Sequence, residues 1–211
     1  SIGDGAFWKC KNLSSVIIPD SVKSIGDNAF SECENLKSVT IPDSVTSIGG
    51  HAFMGCKSLE SVTIPNSIKS IEWGLFAQCS SLTSVVIPDS VTVIESAAFS
   101  GCERLTSVTI PDGVTSIESS SFLGCRNLRQ VTIPNSVTCI WNQAFGGCES
   151  LTSVTIPDGV TSIRYKAFED CTNLRNIIIP EGVKDIDDNV FLGCSPNLKI
   201  RRTASKSTRK R

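Results

Sequence analysis

The sequence predicts a solenoid of short parallel β-strands, and three regularities of spacing predict it. All nine Phe, from Phe7 to Phe191, recur every 23 residues. Nine of the ten Cys, from Cys10 to Cys194, and eight of the nine Pro follow the same period. A unit of 23 residues is too short to bury its apolar side chains alone, so successive units must stack and share one continuous core.

Each unit reads C-x-x-L-x-x-V-x-I-P-x-x-V-x-x-I-x-x-x-A-F-x-x, and its segments predict the elements of one turn in order. The alternation LTSVTI at residues 105–110 predicts a short strand with Val and Ile pointing inward. Pro-Asp-Ser or Pro-Asp-Gly then predicts a tight turn. V-T-S-I predicts a second short extended segment, and the spacing of Ala, Phe and Cys predicts a short helical or 3₁₀ turn.

The repeats define the predicted domain organisation. Residues 1–200 are expected to form one solenoid of about nine units, truncated at its N-terminus, and Pro196 inserts one residue into the last unit. The chain opens at Ser1 in the middle of the pattern, so we expect an upstream segment to have been removed. Residues 201–211 are basic, lack apolar periodicity and are expected to form a disordered tail.

The unit L-x-x-V-x-I-P-x-x-V-x-x-I-x-x-x-A-F-x-x-C resembles the leucine-rich repeats of BspA-like proteins over residues 1 to about 200. The resemblance implies a leucine-rich repeat solenoid of the strand-rich α/β type, right-handed, with a curved parallel sheet. It also implies a role in adhesion or protein recognition in a surface or secreted protein. The position just after the first strand, where commoner leucine-rich repeats have an Asn ladder, holds Ser or Gly here, as at Ser44 and Gly113.

Composition argues against several function classes. Lys and Arg number 20 and Asp and Glu 21, which argues against a protein whose whole body binds nucleic acid. Residues 199–211 contain seven basic residues and no acid, so the first 198 residues have a formal charge of −8. His51 is the single His, and the sequence carries no G-x-S-x-G, phosphate-binding glycine loop or H-E-x-x-H motif. We therefore expect no enzyme activity and no cofactor.

The cysteines are expected to be buried free thiols. Equivalent residues of stacked turns have parallel Cα–Cβ bonds, whereas a disulfide requires the two side chains to point toward each other. No C-x-x-C occurs and His51 is isolated, so we expect no zinc site. Cys139 alone lies outside the register. The acidic or Asn residue after each Pro is interpreted as a turn former in preference to a calcium ligand.

Seven residues are candidates for partner binding because they depart from what the other repeats have. Outward strand positions are mostly Ser and Thr, but Arg129 and Arg175 lie just before their strands. The variable segment after the second strand supplies aromatic and basic side chains, a combination typical of interaction hot spots. These are Trp73, Trp141, Arg164, Tyr165 and Lys166. The alternative, that the aromatic rings only cover the apolar edge of the solenoid, stays open here.

The leading functional hypothesis is a non-catalytic recognition or adhesion module at the cell surface or in a secreted protein, binding a protein or extracellular-matrix partner. Two alternatives stay open: a cytoplasmic interaction scaffold, and the accessory repeats of a larger enzyme. The basic tail is a candidate contact for anionic surfaces, although a solvated terminus without a dedicated role is the default interpretation. No apolar run approaches the ~20 residues that a membrane-spanning helix requires.

Overall fold

The computed structural model describes residues 1–203, and residues 204–211 of the predicted tail lie outside the described residues. Two strands alternate along the chain in every 23-residue turn, a longer one and a two-residue one. The longer strands are β1 (Ser15–Ile17), β3 (Ser38–Thr40), β5 (Ser61–Thr63), β7 (Ser84–Val86), β9 (Ser107–Thr109), β11 (Gln130–Thr132), β13 (Ser153–Thr155), β15 (Asn176–Pro180) and β17 (Lys199–Thr203). The two-residue strands are β2 (Ser24–Ile25), β4 (Ser47–Ile48), β6 (Ser70–Ile71), β8 (Val93–Ile94), β10 (Ser116–Ile117), β12 (Cys139–Ile140), β14 (Ser162–Ile163) and β16 (Asp185–Ile186).

Paired strands of successive turns are parallel and in register. The longer strands pair as β1-β3-β5-β7, β9-β11 and β13-β15-β17, and the two-residue strands as β2-β4, β6-β8 and β10-β12-β14-β16. Val16 of β1 is opposite Val39 of β3, and Ile117 of β10 is opposite Ile140 of β12. The 23-residue period therefore becomes a stack in which each residue lies on its equivalent in the next turn. The predicted solenoid is confirmed.

The core consists of columns of identical side chains. The nine Phe rings form one continuous stack, with neighbouring ring centroids 5.0 to 5.9 Å apart and ring planes within 17° of parallel. Columns of Leu, Val, Ile and Ala surround the stack, and most of their members are fully buried. No single turn could bury these groups, so burial depends on the neighbouring turns.

The in-register Cys residues form another column inside the core, and this one consists of thiol groups. The thiol of Cys125 donates a hydrogen bond to the backbone carbonyl of Phe99, one turn back, at 3.2 Å, and the same contact repeats from Cys33 to Cys194. All ten cysteines lie within residues 1–203 and are free thiols, seven of them buried. A hydrogen-bonded thiol satisfies its weak donor in the core without needing a partner sulfur.

The third side of each turn, around the Phe, consists of successive tight turns, and residues 1–203 contain no α-helix. Backbone N–H groups alternate between two partners here. Ser31 donates to Asn28 in an i→i+3 turn, while Phe30 donates to Ala52 of the next turn at 2.8 Å. An α-helix would direct every N–H along its own axis. The predicted short helical or 3₁₀ segment is therefore replaced by these tight turns, because half of its N–H donors bond the neighbouring turn.

This alternation requires two residues per turn with a left-handed backbone. Positive φ occurs at the second residue before and the second residue after each Phe, for example at Asn28 (54°) and Glu32 (58°) on either side of Phe30. The first position holds Gly5, Asn28, His51, Gly74, Ala97, Ser120, Gln143, Lys166 and Asn189, and the second holds Lys9, Glu32, Gly55, Gln78, Gly101, Gly124, Gly147, Asp170 and Gly193. Such φ values interrupt any helix.

The boundary predicted for the basic tail requires correction. Strand β17 extends through Arg201 and Arg202 to Thr203 and pairs with β15 over all five of its residues. The guanidinium of Arg202 donates to the carbonyls of Pro180 and Val183 at 3.3 and 3.2 Å. Pro196 displaces Leu198 by one residue, but β17 pairs with β15 at the usual offset of 23 residues, so residues 201–203 belong to the solenoid and not to a tail.

Burial of the thiols predicts a specific alkaline sensitivity. Desolvation raises the pKa of Cys33 to about 11 and those of Cys56 and Cys125 to about 12. Above about pH 9 the unfolded chain releases thiol protons that the folded chain retains, so the free energy of unfolding falls with rising pH, by up to about 1.4 kcal/mol per pH unit for each such thiol. Urea unfolding under reducing conditions at about pH 8 and about pH 10 measures this fall.

The control for the alkaline effect is Cys125→Ala, which is expected to lower stability at both pH values but to reduce the loss between them. An unchanged difference between the two pH values in this variant would contradict the assignment of the effect to buried thiols.

The left-handed positions predict opposite effects of two substitutions. Gln78→Gly is expected to raise the free energy of unfolding by about 1 kcal/mol, because Gln78 is exposed and has a φ of 60° that glycine adopts without strain. Gly101→Ala is expected to lower it by a similar amount, since an added Cβ meets neighbouring atoms at an ordinary 3.5 Å and only the backbone is strained. Urea midpoints measure both, and Gln78→Ala, which keeps the strain, serves as the control.

Candidate functional site

Two exposed surfaces contain the residues predicted to bind partners. The strand face is the outward side of the longer strands and the residue just before each of them. The aromatic edge is the segment after β12 and β14, formed by Trp141, Arg164, Tyr165 and Lys166. The two surfaces belong to different strands of each turn, so the seven candidates do not converge on one site.

The strand face carries a shallow polar depression near its C-terminal half. Its volume is about 620 Å³, and Arg129 and Arg175 lie on its two sides with Thr152 of the intervening turn between them. Ser107, Gln130 and further hydroxyl and amide side chains complete the lining, which is Thr106, Ser107, Arg129, Gln130, Ser150, Thr152, Asn173 and Arg175. The depression therefore combines two guanidinium groups with uncharged donors and acceptors.

Nearby carboxylates do not neutralise these two arginines. Glu103 and Glu149, in the turns before and after that of Arg129, both pair with Arg126, each at 3.5 Å. Neither Arg129 nor Arg175 forms an ion pair with any carboxylate in residues 1–203. Both are exposed, so the depression presents positive charge to solvent.

At the aromatic edge, Arg164 is fixed by groups on both of its neighbouring turns. Its guanidinium lies 5.8 Å from the centre of the Trp141 ring in the preceding turn. In the following turn it pairs with Asp185 at 2.6 Å and Asp187 at 3.5 Å. The side chain of Arg164 thus orders Trp141 and is itself mostly unavailable to a partner.

Tyr165 is the most exposed residue of the aromatic edge, and Lys166 beside it is half-buried. The Lys166 ammonium lies 5.3 Å from the Tyr165 ring and pairs with Glu169, whose pKa is lowered by that hydrogen bond. The backbone N–H of Tyr165 donates to the Asp187 carboxylate at 3.0 Å. Tyr165 is 44% exposed and Trp141 38%, so two held aromatic rings remain accessible to solvent.

Trp73 lies apart from this cluster. It occupies the position equivalent to Tyr165, four turns earlier along the solenoid. Its ring packs edge-on against His51 at 4.2 Å, and 57% of it is exposed. Trp73 and Trp141 both lie in the variable segment after the second strand, one repeat position apart, but the stack separates them, so only the later aromatic residues form a common surface.

Other reactive side chains lie singly along the stack. His51 contacts Trp73, and Cys139 is half-buried between Ser116 and Ser162 of the neighbouring turns. Within residues 1–203 no three His, Cys, Asp or Glu side chains come together in a group that could hold a metal ion. Equivalent positions of a repeat bring like groups together, and catalysis requires unlike groups to converge.

The sequence reading missed part of the strand face. The sequence predicts Lys199 at the end of the solenoid and Arg201 in the tail, whereas β17 places both on the strand face, in register with Asn176 and Ile178 of β15. The signal that could have found them is the 23-residue period itself, which puts Ile200 opposite Ile177 although Pro196 displaces Leu198.

Comparison with protein families gives one match, described as the BspA type leucine rich repeat region (6 copies). It covers residues 1–129 and 115–208, which is nearly the whole chain. The chain belongs to the BspA-type leucine-rich repeat family. Its repeats are therefore those of a protein-interaction module. A separate comparison with curated proteins finds no match.

Solved structures of other proteins, two of them described as leucine-rich repeat proteins, share the fold. A leucine-rich repeat protein from Bacteroides ovatus is 32% identical with a TM-score of 0.80, over 92% of this chain and 61% of that one. The leucine rich repeat protein of T. pallidum is 37% identical with a TM-score of 0.65, over 71% of this chain and 70% of that one. The pneumococcal vaccine antigen PcpA, at 19% identity, a TM-score of 0.55 and coverage of 92% and 69%, shares the fold alone.

This BspA-type chain thus spans less than two thirds of the Bacteroides ovatus protein. In the part of the chain that the structure describes, no helix is long and apolar enough to cross a membrane.

The contacts of Arg164 predict that it supports the structure, unlike the two arginines of the strand face. Arg164→Met is expected to lower the urea midpoint because it leaves Asp185 and Asp187 without their counter-ion and releases Trp141. Arg129→Met and Arg175→Met are expected to leave the midpoint unchanged. In about 1 M NaCl, which screens exposed charges, the effect of Arg164→Met should shrink; equal effects of all three substitutions would contradict the assignment.

Proposed function

We propose that this chain is a non-catalytic recognition or adhesion module of a surface or secreted BspA-like protein, binding a protein or extracellular-matrix partner. The observation that carries the proposal is the aromatic edge. Trp141 and Tyr165 are exposed in adjacent turns, and Arg164 and Lys166 hold them in place. Aromatic rings that are ordered before binding lose little conformational entropy on contact, which is why they dominate binding energies at interfaces.

The surface or secreted location is supported by the family alone, because BspA-like repeats are found in surface and secreted proteins. The cysteines do not favour a cytoplasmic scaffold over it. Burial keeps thiols such as Cys56 and Cys125 protonated and unreactive, so they would remain reduced outside the cell as well. The protein sequence upstream of Ser1 would separate the alternatives: a signal peptide supports the proposal, and an attached catalytic domain supports accessory repeats of an enzyme.

The proposal predicts the loss of binding on removal of the aromatic edge. Against immobilised extracellular-matrix proteins such as collagen and laminin, we expect saturable binding by the whole chain. The double variant Trp141→Ala with Tyr165→Ala should weaken it at least about 30-fold, the size typical of hot-spot residues. Surface plasmon resonance measures the dissociation constants.

Trp73→Ala is the matched control, since it removes an exposed aromatic ring from the same side of the solenoid but away from the cluster. We expect it to change the dissociation constant less than about twofold. Equal losses in both variants would contradict the assignment to the aromatic edge, and the absence of saturable binding across a broad panel of matrix proteins and cell surfaces would overturn the proposed function.

A further inference from the structure

We propose that the C-terminal half of the strand face binds an anionic polysaccharide, with Arg129 and Arg175 holding its acidic groups. This inference rests on the proposed recognition role and adds a second class of ligand on a second surface. The proposed surface consists of the depression lined by these two arginines and of the neighbouring strand residues up to β17. The aromatic edge contributes no residue to it.

The first observation is charge that the protein does not neutralise. Glu103 and Glu149 pair with Arg126, and Arg129 and Arg175 remain exposed without an ion pair within residues 1–203. Guanidinium groups bind carboxylate and sulfate groups through paired hydrogen bonds. The complementary ligand is therefore an anion.

The second observation is the spacing. Arg129 and Arg175 occupy equivalent positions two turns apart, and parallel strands lie about 4.8 Å from their neighbours, so the two backbones are about 10 Å apart. Thr152 lies on the turn between them. An acidic polysaccharide would place the acidic groups of every second sugar unit at the arginines and the hydroxyls of the unit between them at Thr152.

The third observation distinguishes a polysaccharide from an acidic polypeptide. Protein partners need apolar or aromatic anchors at the centre of the interface. The large exposed apolar side chains of the longer strands are Ile17 and Val86 in the N-terminal half and Ile200 in β17, and none of the three lines the depression. Around the depression the outward residues are Ser, Thr, Gln, Asn and Arg, and these groups match the donors and acceptors of sugar hydroxyls.

The surface continues one turn beyond the depression. Lys199 is in register with Asn176, and Arg201 is in register with Ile178, so β17 adds two more exposed basic side chains to the strand face. The row of positive charge therefore runs along the stacking direction of the turns, from Arg129 to Arg201. A ligand that follows it must be extended, which fits a polysaccharide chain better than a small anion.

The test measures binding of the whole chain to four probes by isothermal titration calorimetry at low salt. The probes are heparin as a sulfated polysaccharide, polygalacturonate as a carboxylated one, dextran as a neutral one and poly-L-glutamate as an acidic polypeptide. We expect heparin or polygalacturonate to bind, dextran not to bind and poly-L-glutamate to bind more weakly. Which of the two binds tighter identifies the acidic group.

Variants locate the site. Arg129→Ala with Arg175→Ala should weaken polysaccharide binding at least about tenfold, because each substitution removes a charge-assisted contact. The matched control, Lys69→Ala with Lys184→Ala, removes the same charge from exposed positions off the strand face and should change affinity less than about twofold. A third variant, with Lys206, Arg209, Lys210 and Arg211 changed to Ala, tests whether the terminal basic residues are responsible.

Four results would overturn the inference: no binding of either acidic polysaccharide, equal or tighter binding of poly-L-glutamate, loss of binding only in the variant of residues 206–211, or equal losses in the two paired Ala variants. The proposed function fails separately, because it is tested on matrix proteins through Trp141 and Tyr165. Retained protein binding without polysaccharide binding would reject this inference alone.

Discussion

In-register stacking of equivalent residues is the constraint on which the rest of the molecule depends. Because successive turns lie one strand spacing apart, any side chain that repeats every 23 residues becomes a column. Phe forms a continuous stack of rings, and Cys forms a ladder of thiols bonded to the carbonyl of the preceding turn's Phe. The same parallel geometry keeps the sulfurs from pairing. Burial and cysteine chemistry thus share one geometric cause.

The turn region around Phe shows how this constraint overrides local preference. Eleven of the eighteen positions with positive φ hold residues other than glycine. Each of these is strained in isolation, yet the alternation sends every second N–H to the next turn, as from Phe30 to Ala52 and from Phe53 to Leu75. Because those hydrogen bonds are inter-turn contacts, they stabilise the stack, and a short helix in the same place would leave neighbouring turns unconnected on that side.

The fold was predictable from sequence because periodicity is a collective signal. Nine Phe in one register report the stack even where Trp73, His51 or Cys139 depart from their column. The two surfaces were less predictable, because they depend on which residues that differ from the repeat lie next to each other in space and on which counter-ions their charged side chains contact. The variable segment after the second strand contains both Trp73 and Trp141, whereas distance along the stack separates them. Nothing in the sequence showed that Arg126 would take both nearby glutamates, or that β17 would include Arg201.

A solenoid of this kind gains specific chemistry at residues that differ from the repeat, since a column of identical side chains only repeats the same contact in every turn. The aromatic edge and the strand face are two such places, and they differ in kind: one is aromatic with its charges internally paired, the other polar with its arginines unpaired within residues 1–203. They extend from different strands of the same turns and share only the core columns. Because each turn contacts only its neighbours, a change in the outward side chains of one surface leaves the backbone ladder of the other intact. The two surfaces can therefore vary independently, and a single 23-residue framework can carry two unrelated ligands.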